Sequence, residues 1–295
     1  MTQAFTRKAG RAAVIAGAVL PCAGCDLTQF PVLDPKGPIT LAERDFLFTA
    51  VVLMLIVIIP VFIMTFLFAW RYRASNSKAR YAPDWSYSIL TDAIVWLVPA
   101  LIVIALGTLL WSKTHKLDPY KPIEASARPI EVEVVAQDWK WLFIYPEQGI
   151  AVVNQLVFPS GTPLSLRLTS DTVMNSFFLP ALGGQIYTMA GMQTRLHVLA
   201  DAPGQFIGRN AQYSGSGFSS QHFQAIATSP EAFDAWVAKV KQSPETLNAT
   251  TYRALAAPSS NHPVTYYSAV EPNMFQAIIA KYVNGHTHIG HPAAE

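Results

Sequence analysis

Cysteine is almost missing from this chain of 295 residues: Cys22 and Cys25 are the only two, and none follows them. Beyond residue 25 this excludes a disulfide framework or a thiolate site, so a metal there would depend on His or carboxylate ligands. Charge is scarce as well. At 14% charged against 51% hydrophobic residues, the chain falls below the roughly 25% charged fraction of soluble domains, so part of it faces lipid. The net charge of +2 is too small for a nucleic-acid binder. G-x-S-x-G, H-E-x-x-H and phosphate-loop patterns are absent too, and the chain offers no catalytic constellation of its own.

Another absence is local. The stretch GRNAQYSGSGFSSQ, Gly208 to Gln221, sets small turn residues between strand-like runs, the kind of tight loop on which a β-domain mounts a site. It contains no Cys, His, Asp or Glu. The loop has the form of a metal-binding loop without the chemistry.

The N-terminus is built for export. Arg7, Lys8 and Arg11 precede the apolar run AAVIAGAVL, and small residues lead to Cys25, the layout of a secretory signal peptide. The segment CAGC resembles a bacterial lipoprotein box, with Cys25 as the lipidated first residue of the mature chain. Gly24 before it suits such cleavage, whereas Pro21 disfavours Cys22, and Cys22 itself stands where the pattern usually has Leu. A plain signal anchor is the competing reading. Asp26 resembles the residue that retains lipoproteins in the inner membrane of many Gram-negative bacteria.

Two runs are long enough to span a bilayer, Phe46 to Trp70 and Ala93 to Ser112, and neither contains a charge. Trp70, Tyr72, Trp85, Trp96 and Trp111 lie near their ends, where amphipathic rings favour the interface. Pro60 and Pro99 fall inside the spans, which is tolerated where a neighbouring protein takes up the freed carbonyls. The connecting loop carries Arg71, Arg73, Lys78 and Arg80 against one acid, Asp84. The positive-inside rule makes that loop cytoplasmic and puts both flanks outside.

Beyond the hairpin the chain opens as β-structure. Ile130, Val132 and Val134 alternate with Glu131 and Glu133, and Leu164, Leu166 and Leu168 repeat the period of two. Pro and Gly punctuate the runs at a spacing that suits a Greek-key sandwich. After Thr228 three short helical patterns appear, with Ser, Asn or Glu at their starts. The sequence thus divides into a signal peptide at 1–24, an external segment at 25–45 and a transmembrane hairpin at 46–112 with its loop at 71–91. A β-domain at 123–228, a helical extension at 229–285 and a disordered tail at 286–295 complete it.

These residues carry a resemblance. Two spanning helices, the element QDWKW and the block VMNSFFLP, GMQTRLHV and PGQFIGRNAQYSGSGF are similar to subunit II of the haem-copper oxidases, and most of all to that of the bo-type ubiquinol oxidases. The similarity covers nearly the whole chain. It implies a membrane-anchored, all-β protein, a cupredoxin-like sandwich on a helical hairpin with C-terminal helices. It further implies a partnership with subunit I and other subunits, with haems and copper in subunit I and ubiquinol as electron donor. No cofactor is expected in this chain. Copper-bearing relatives hold a two-copper centre in the equivalent loop. Its ligand positions fall here on Asn175, Asn210, Gln212, Ser214, Phe218 and Gln221, none of them a thiolate or imidazole.

The resemblance gives further candidates. Trp139 and Trp141 match an aromatic patch where a cytochrome docks in copper-bearing relatives, and packing is the competing reading for both. Asp92 matches a Glu at the mouth of a proton pathway into subunit I, while on its own position it reads as a first-turn acid stabilised by the helix dipole. His197 and His222 read as histidines satisfied within the β-domain, and His286, His288 and His291 as a solvated tail. A free-standing membrane lipoprotein with a ligand-binding or assembly-assisting sandwich remains the alternative.

Overall fold

The computed structural model describes residues 30–80, 82–125 and 127–283. Cys25, the signal peptide, and His286, His288 and His291 with the rest of the tail lie outside the described residues.

Two helices carry the apolar runs. Helix α1 spans Pro38–Arg71 and α2 spans Ile89–Lys116, and both are long and apolar enough to cross a membrane. Helix α1 starts eight residues before the apolar run because Pro38 sits at its first turn, where a missing N–H costs nothing. At the head of α2 the Ser88 hydroxyl accepts from the Thr91 amide at 3.4 Å. Pro60 and Pro99 lie inside α1 and α2.

Among the described residues the chain then folds into eleven strands. They are β1 Ile130–Gln137, β2 Lys140–Tyr145, β3 Ile150–Val153, β4 Gln155–Pro159, β5 Leu164–Ser170, β6 Asn175–Phe178, β7 Gln185–Thr188, β8 Thr194–Val198, β9 Gly204–Asn210, β10 His222–Thr228 and β11 Thr265–Tyr267. One sheet runs β11-β3-β2-β1-β5-β8 and the other β4-β10-β9-β6-β7. Pairing is antiparallel except for β1 with β5 and β4 with β10, where the chain crosses over. Facing sheets of this order make the cupredoxin-like Greek-key sandwich expected from the sequence.

Between the sheets lies the main core, where Trp141 meets Phe177 and Phe223 edge-on at 5.3 and 5.9 Å. Tyr145 ties the sheets together. Its hydroxyl donates to the Val157 carbonyl and accepts the Val157 N–H, each at 2.9 Å, satisfying backbone groups of edge strand β4.

A second core covers the outer face of the larger sheet. Val135, Leu142, Ile144, Ala151 and Val153 point into it, and helices α4 Ala249–Ala256 and α5 Met274–Val283 close it with Tyr252, Leu255, Phe275 and Ile278. Helix α3, Pro230–Val240, packs on the main core instead. The period of two places Glu131 and Glu133 on one face, and the structure treats them differently: Glu131 is exposed, whereas Glu133, beside the start of α5, is enclosed and bonded to Arg167. Asp171 clasps the helical extension: Tyr252 and Lys281 donate to its carboxylate at 2.7 and 2.8 Å, and Tyr282 donates to its carbonyl at 2.8 Å.

The start of α1 is bonded directly to the sandwich. The Lys36 amide donates to the Ala181 carbonyl at 3.1 Å and the Asp201 amide to the Lys36 carbonyl at 3.0 Å. A Cβ on Gly37 would overlap the Leu199 carbonyl, so only glycine permits this approach.

Candidate functional site

The loop without ligands joins β9 to β10 and is closed at its neck, where the Asn210 amide donates to the Gln221 carbonyl at 3.0 Å. A short 3-10 turn, Phe218–Ser220, folds it back. Asn175, at the start of β6, faces it from the neighbouring strand, because β6 pairs with β9.

Four of the six positions meet. The Asn210 side-chain amide donates to Asn175 Oδ1 at 2.6 Å and to Gln221 Oε1 at 2.9 Å. Ser214 Oγ donates to Gln221 Oε1 at 2.9 Å, and Gln221 Nε2 donates to Asn175 Oδ1 at 3.1 Å and to the Gln137 carbonyl at 3.3 Å. Asn175 Nδ2 turns outward to the Val173 carbonyl at 2.8 Å. Asn210 Oδ1 accepts the Ser176 and Gln212 amides at 2.8 and 3.0 Å. Every donor of the three amides has an acceptor, although Asn175, Asn210 and Gln221 are only 0%, 4% and 2% exposed. A buried polar network that is fully paired rigidifies its surroundings, whereas one missing member would leave costly orphans.

Gln212 and Phe218 stay out of this cluster. Gln212 contributes its backbone amide, and Phe218 rests against the Tyr213 ring at 5.7 Å.

The β1–β2 turn, Asp138 and Trp139, seals the loop from one side. Trp139 adopts φ +64° at the tight turn, which lays its indole over the loop glycines, and its Nε1 donates to the Ser214 carbonyl at 3.0 Å. A Cβ on Gly217 would overlap that indole, which explains glycine there. Trp141, two residues on, is fully buried between the sheets. A side chain without exposed surface in this chain fits the packing reading for Trp141. Trp139 is half-buried.

Lys140 and Asp138 were not singled out by sequence reasoning. Lys140 is fully buried, and its Nζ donates to the Ala257 carbonyl at 2.8 Å and to Ser259 Oγ at 2.7 Å. Burial pushes its amine below the ordinary lysine value, against the opposing pull of the Asp138 charge. Asp138 accepts from Thr172 Oγ1. The turn therefore holds three loops, at 172, 214 and 257–259. Its only sequence signal is the polar Asp-Trp-Lys set between two apolar strands.

Asp92 lies in the first turn of α2, on an exposed surface. The side-chain cap there is made by Ser88; Asp92 has no side-chain hydrogen bond among the described residues. His197 Nδ1 lies 3.1 Å from the Pro119 carbonyl and its Nε2 lies 3.4 Å from Ser165 Oγ. His222 is exposed at the start of β10. Among the described residues, no three His, Cys, Asp or Glu side chains group as a metal site would require.

The chemistry of the cluster is set by its donors. Neutral amides and a hydroxyl, already bonded to one another, offer neither the thiolates nor the imidazoles of a binuclear copper centre, and the residues present do not fit that group.

Known proteins agree with this architecture. The family model described as cytochrome c oxidase subunit II, periplasmic domain, matches residues 146–226, and the one described as COX aromatic rich motif matches residues 241–286. The cytochrome bo(3) ubiquinol oxidase subunit 2 of Pseudomonas putida is 55% identical over 264 residues, covering 90% of this chain and 83% of the relative. The ubiquinol oxidase subunit 2 of Acetobacter aceti is 52% identical over 265 residues, covering 89% and 85%. The quinol oxidase subunit 2 of Bacillus anthracis is 38% identical over 221 residues, covering 75% and 76%. Identity at this level across most of each chain means that the protein belongs to the quinol-oxidase subunit II family of the haem-copper oxidases.

Proposed function

We propose that this chain is an accessory subunit of a proton-pumping ubiquinol oxidase, and that it neither relays electrons nor catalyses a step itself. The observation that carries the reading is the closed network of Asn175, Asn210, Ser214 and Gln221, which fills the positions of a copper relay with mutually bonded neutral groups. Ubiquinol is dissolved in the membrane and reaches subunit I directly, so a relay from a soluble donor has no task. Haems and copper then belong to subunit I. This chain contributes the hairpin that packs beside that subunit and a rigid sandwich in the periplasm, held in the inner membrane by its two spans and a lipid on Cys25.

Asp92 is the group of this chain that we assign to proton entry. Ser88 takes the capping role at the head of α2, which leaves the Asp92 carboxylate unengaged and exposed at the end of the span. An ionisable group at such a depth is costly unless it is used.

The test is metal analysis of the oxidase complex and of its separated subunit II after dialysis. All copper is expected in the haem-bearing subunit. Near-stoichiometric copper with intense visible absorption in subunit II would overturn the reading, as would failure to co-purify with a haem protein. Mass spectrometry of the mature N-terminus checks the anchor: a lipid-modified Cys25 is expected, and an intact residue 1 would refute it.

A further inference from the structure

The two ends of the hairpin that face the sandwich border an open site, apolar at its walls and charged at its rim, which the network above does not use. Two adjoining clefts, of about 340 and 260 Å³, lie where the start of α1 meets the segment that follows α2, the smaller one also against Leu196 and His197 of the sandwich, and Ile39, Leu117, Asp118 and Lys121 line both. Lys116 and Glu124 line one, Glu43 the other. The frame is rigid, since Lys36 is bonded to the 181 and 201 loops and His197 holds the Pro119 carbonyl.

The depth is that of lipid headgroups. Glu43 precedes the apolar run at Phe46 by three residues and Lys116 follows Ser112 by four, so both lie about 4–6 Å beyond the spans at the helical rise. The headgroup layer extends roughly 5–7 Å beyond the hydrocarbon on each face.

Charge decides the occupant. Lys116 and Lys121 stand among Glu43, Asp118 and Glu124, and none of the five forms an ion pair among the described residues. Asp118 accepts one backbone amide, from Tyr120 at 2.9 Å. A simple anion would meet three carboxylates and a simple cation two ammonium groups. A ligand carrying both charges satisfies the set, with its phosphate on the lysines and its amine on the carboxylates, while Ile39 and Leu117 cover the start of its acyl chains. The primary ammonium of ethanolamine has N–H groups to donate to carboxylates, whereas the quaternary ammonium of choline has none. We propose that this junction binds the headgroup of a zwitterionic aminophospholipid, phosphatidylethanolamine in chemical class.

The test uses the whole complex in nanodiscs of phosphatidylethanolamine mixed with phosphatidylcholine or phosphatidylglycerol, with retained lipid counted by native mass spectrometry after transfer to detergent. Phosphatidylethanolamine should be retained about tenfold over either competitor, as expected for charge-assisted bonds, and millimolar inorganic phosphate should not displace it. The Lys116→Gln/Lys121→Gln double variant and, separately, Glu43→Gln should abolish the preference. Lys113→Gln, on the same helix but outside both clefts, should keep it. Retention of phosphatidylglycerol to the same level, displacement by phosphate, or an unchanged preference in the double variant would overturn the proposal. So would cross-links showing another subunit seated on Lys121 in place of lipid.

Discussion

The indole of Trp139 donates to the Ser214 carbonyl at 3.0 Å and lies on Gly217, so a turn of the larger sheet closes a loop carried by the smaller one. The same turn reaches the 257–259 loop through Lys140. The loop without ligands is thus a joint of the domain, and its conformation is set by what bonds to it.

Filling Gly217 should show this first. We expect Gly217→Ala to displace the indole and cost about 1–3 kcal/mol, the usual penalty of overpacking. Trp139→Phe removes one hydrogen bond and should cost about 1 kcal/mol. Thermal unfolding of both variants measures it, and a Gly217→Ala protein as stable as the parent would contradict the packing described.

The amide network makes a sharper demand. Asn210→Leu leaves the Ser176 amide and the Asn175 and Gln221 carbonyl oxygens short of partners, and should lose about 3 kcal/mol. Asn210→Asp keeps the Ser176 and Gln212 amides as donors to one oxygen but buries the other against two acceptors, and with desolvation the neutral form is favoured, so its folded pKa is expected to rise. A raised folded pKa means stability that is present at low pH and lost as pH rises through that value. The variant should therefore approach the parent in acid and fall away toward pH 7, which denaturant titrations across pH would reveal.

Tyr145 predicts the alkaline limit. Burial holds its phenol above the ordinary value of 10.0. The folded form keeps its proton where the unfolded chain has lost one, so stability contributed by this group is complete below pH 10 and declines above it. Tyr145→Phe should cost about 1–3 kcal/mol at pH 7, because both Val157 backbone groups lose their partner, yet it should flatten the alkaline decline. Melting temperatures at pH 7 and 10.5 test both parts.

Asp92→Asn should slow oxidase turnover and proton uptake by about a hundredfold, the lower end for a lost proton-transfer group, while haem content and assembly stay normal. Asp92→Glu should remain active. Normal turnover in an assembled Asp92→Asn complex would reduce the residue to a first-turn acid.

Sequence by itself determined the two long apolar helices, since uninterrupted apolar runs of that length form little else, and the absence of Cys, His, Asp and Glu from the 208–221 loop. It also marked where helices begin, because periodicity switches after Thr228, but not β11, which returns to the larger sheet between α4 and α5. Tertiary structure alone decided which face of each strand was wet. Glu133 is enclosed beside Arg167 and the start of α5 at Met274 and Phe275, more than a hundred residues away in the chain. Trp139 and Trp141 look alike in the sequence, but a turn at φ +64° sends one over the loop while the strand sends the other into the core. Asn175 and Asn210 lie 35 residues apart, and a hydrogen bond of 2.6 Å between them depends on strand register, a property of the folded sheets that local composition does not specify.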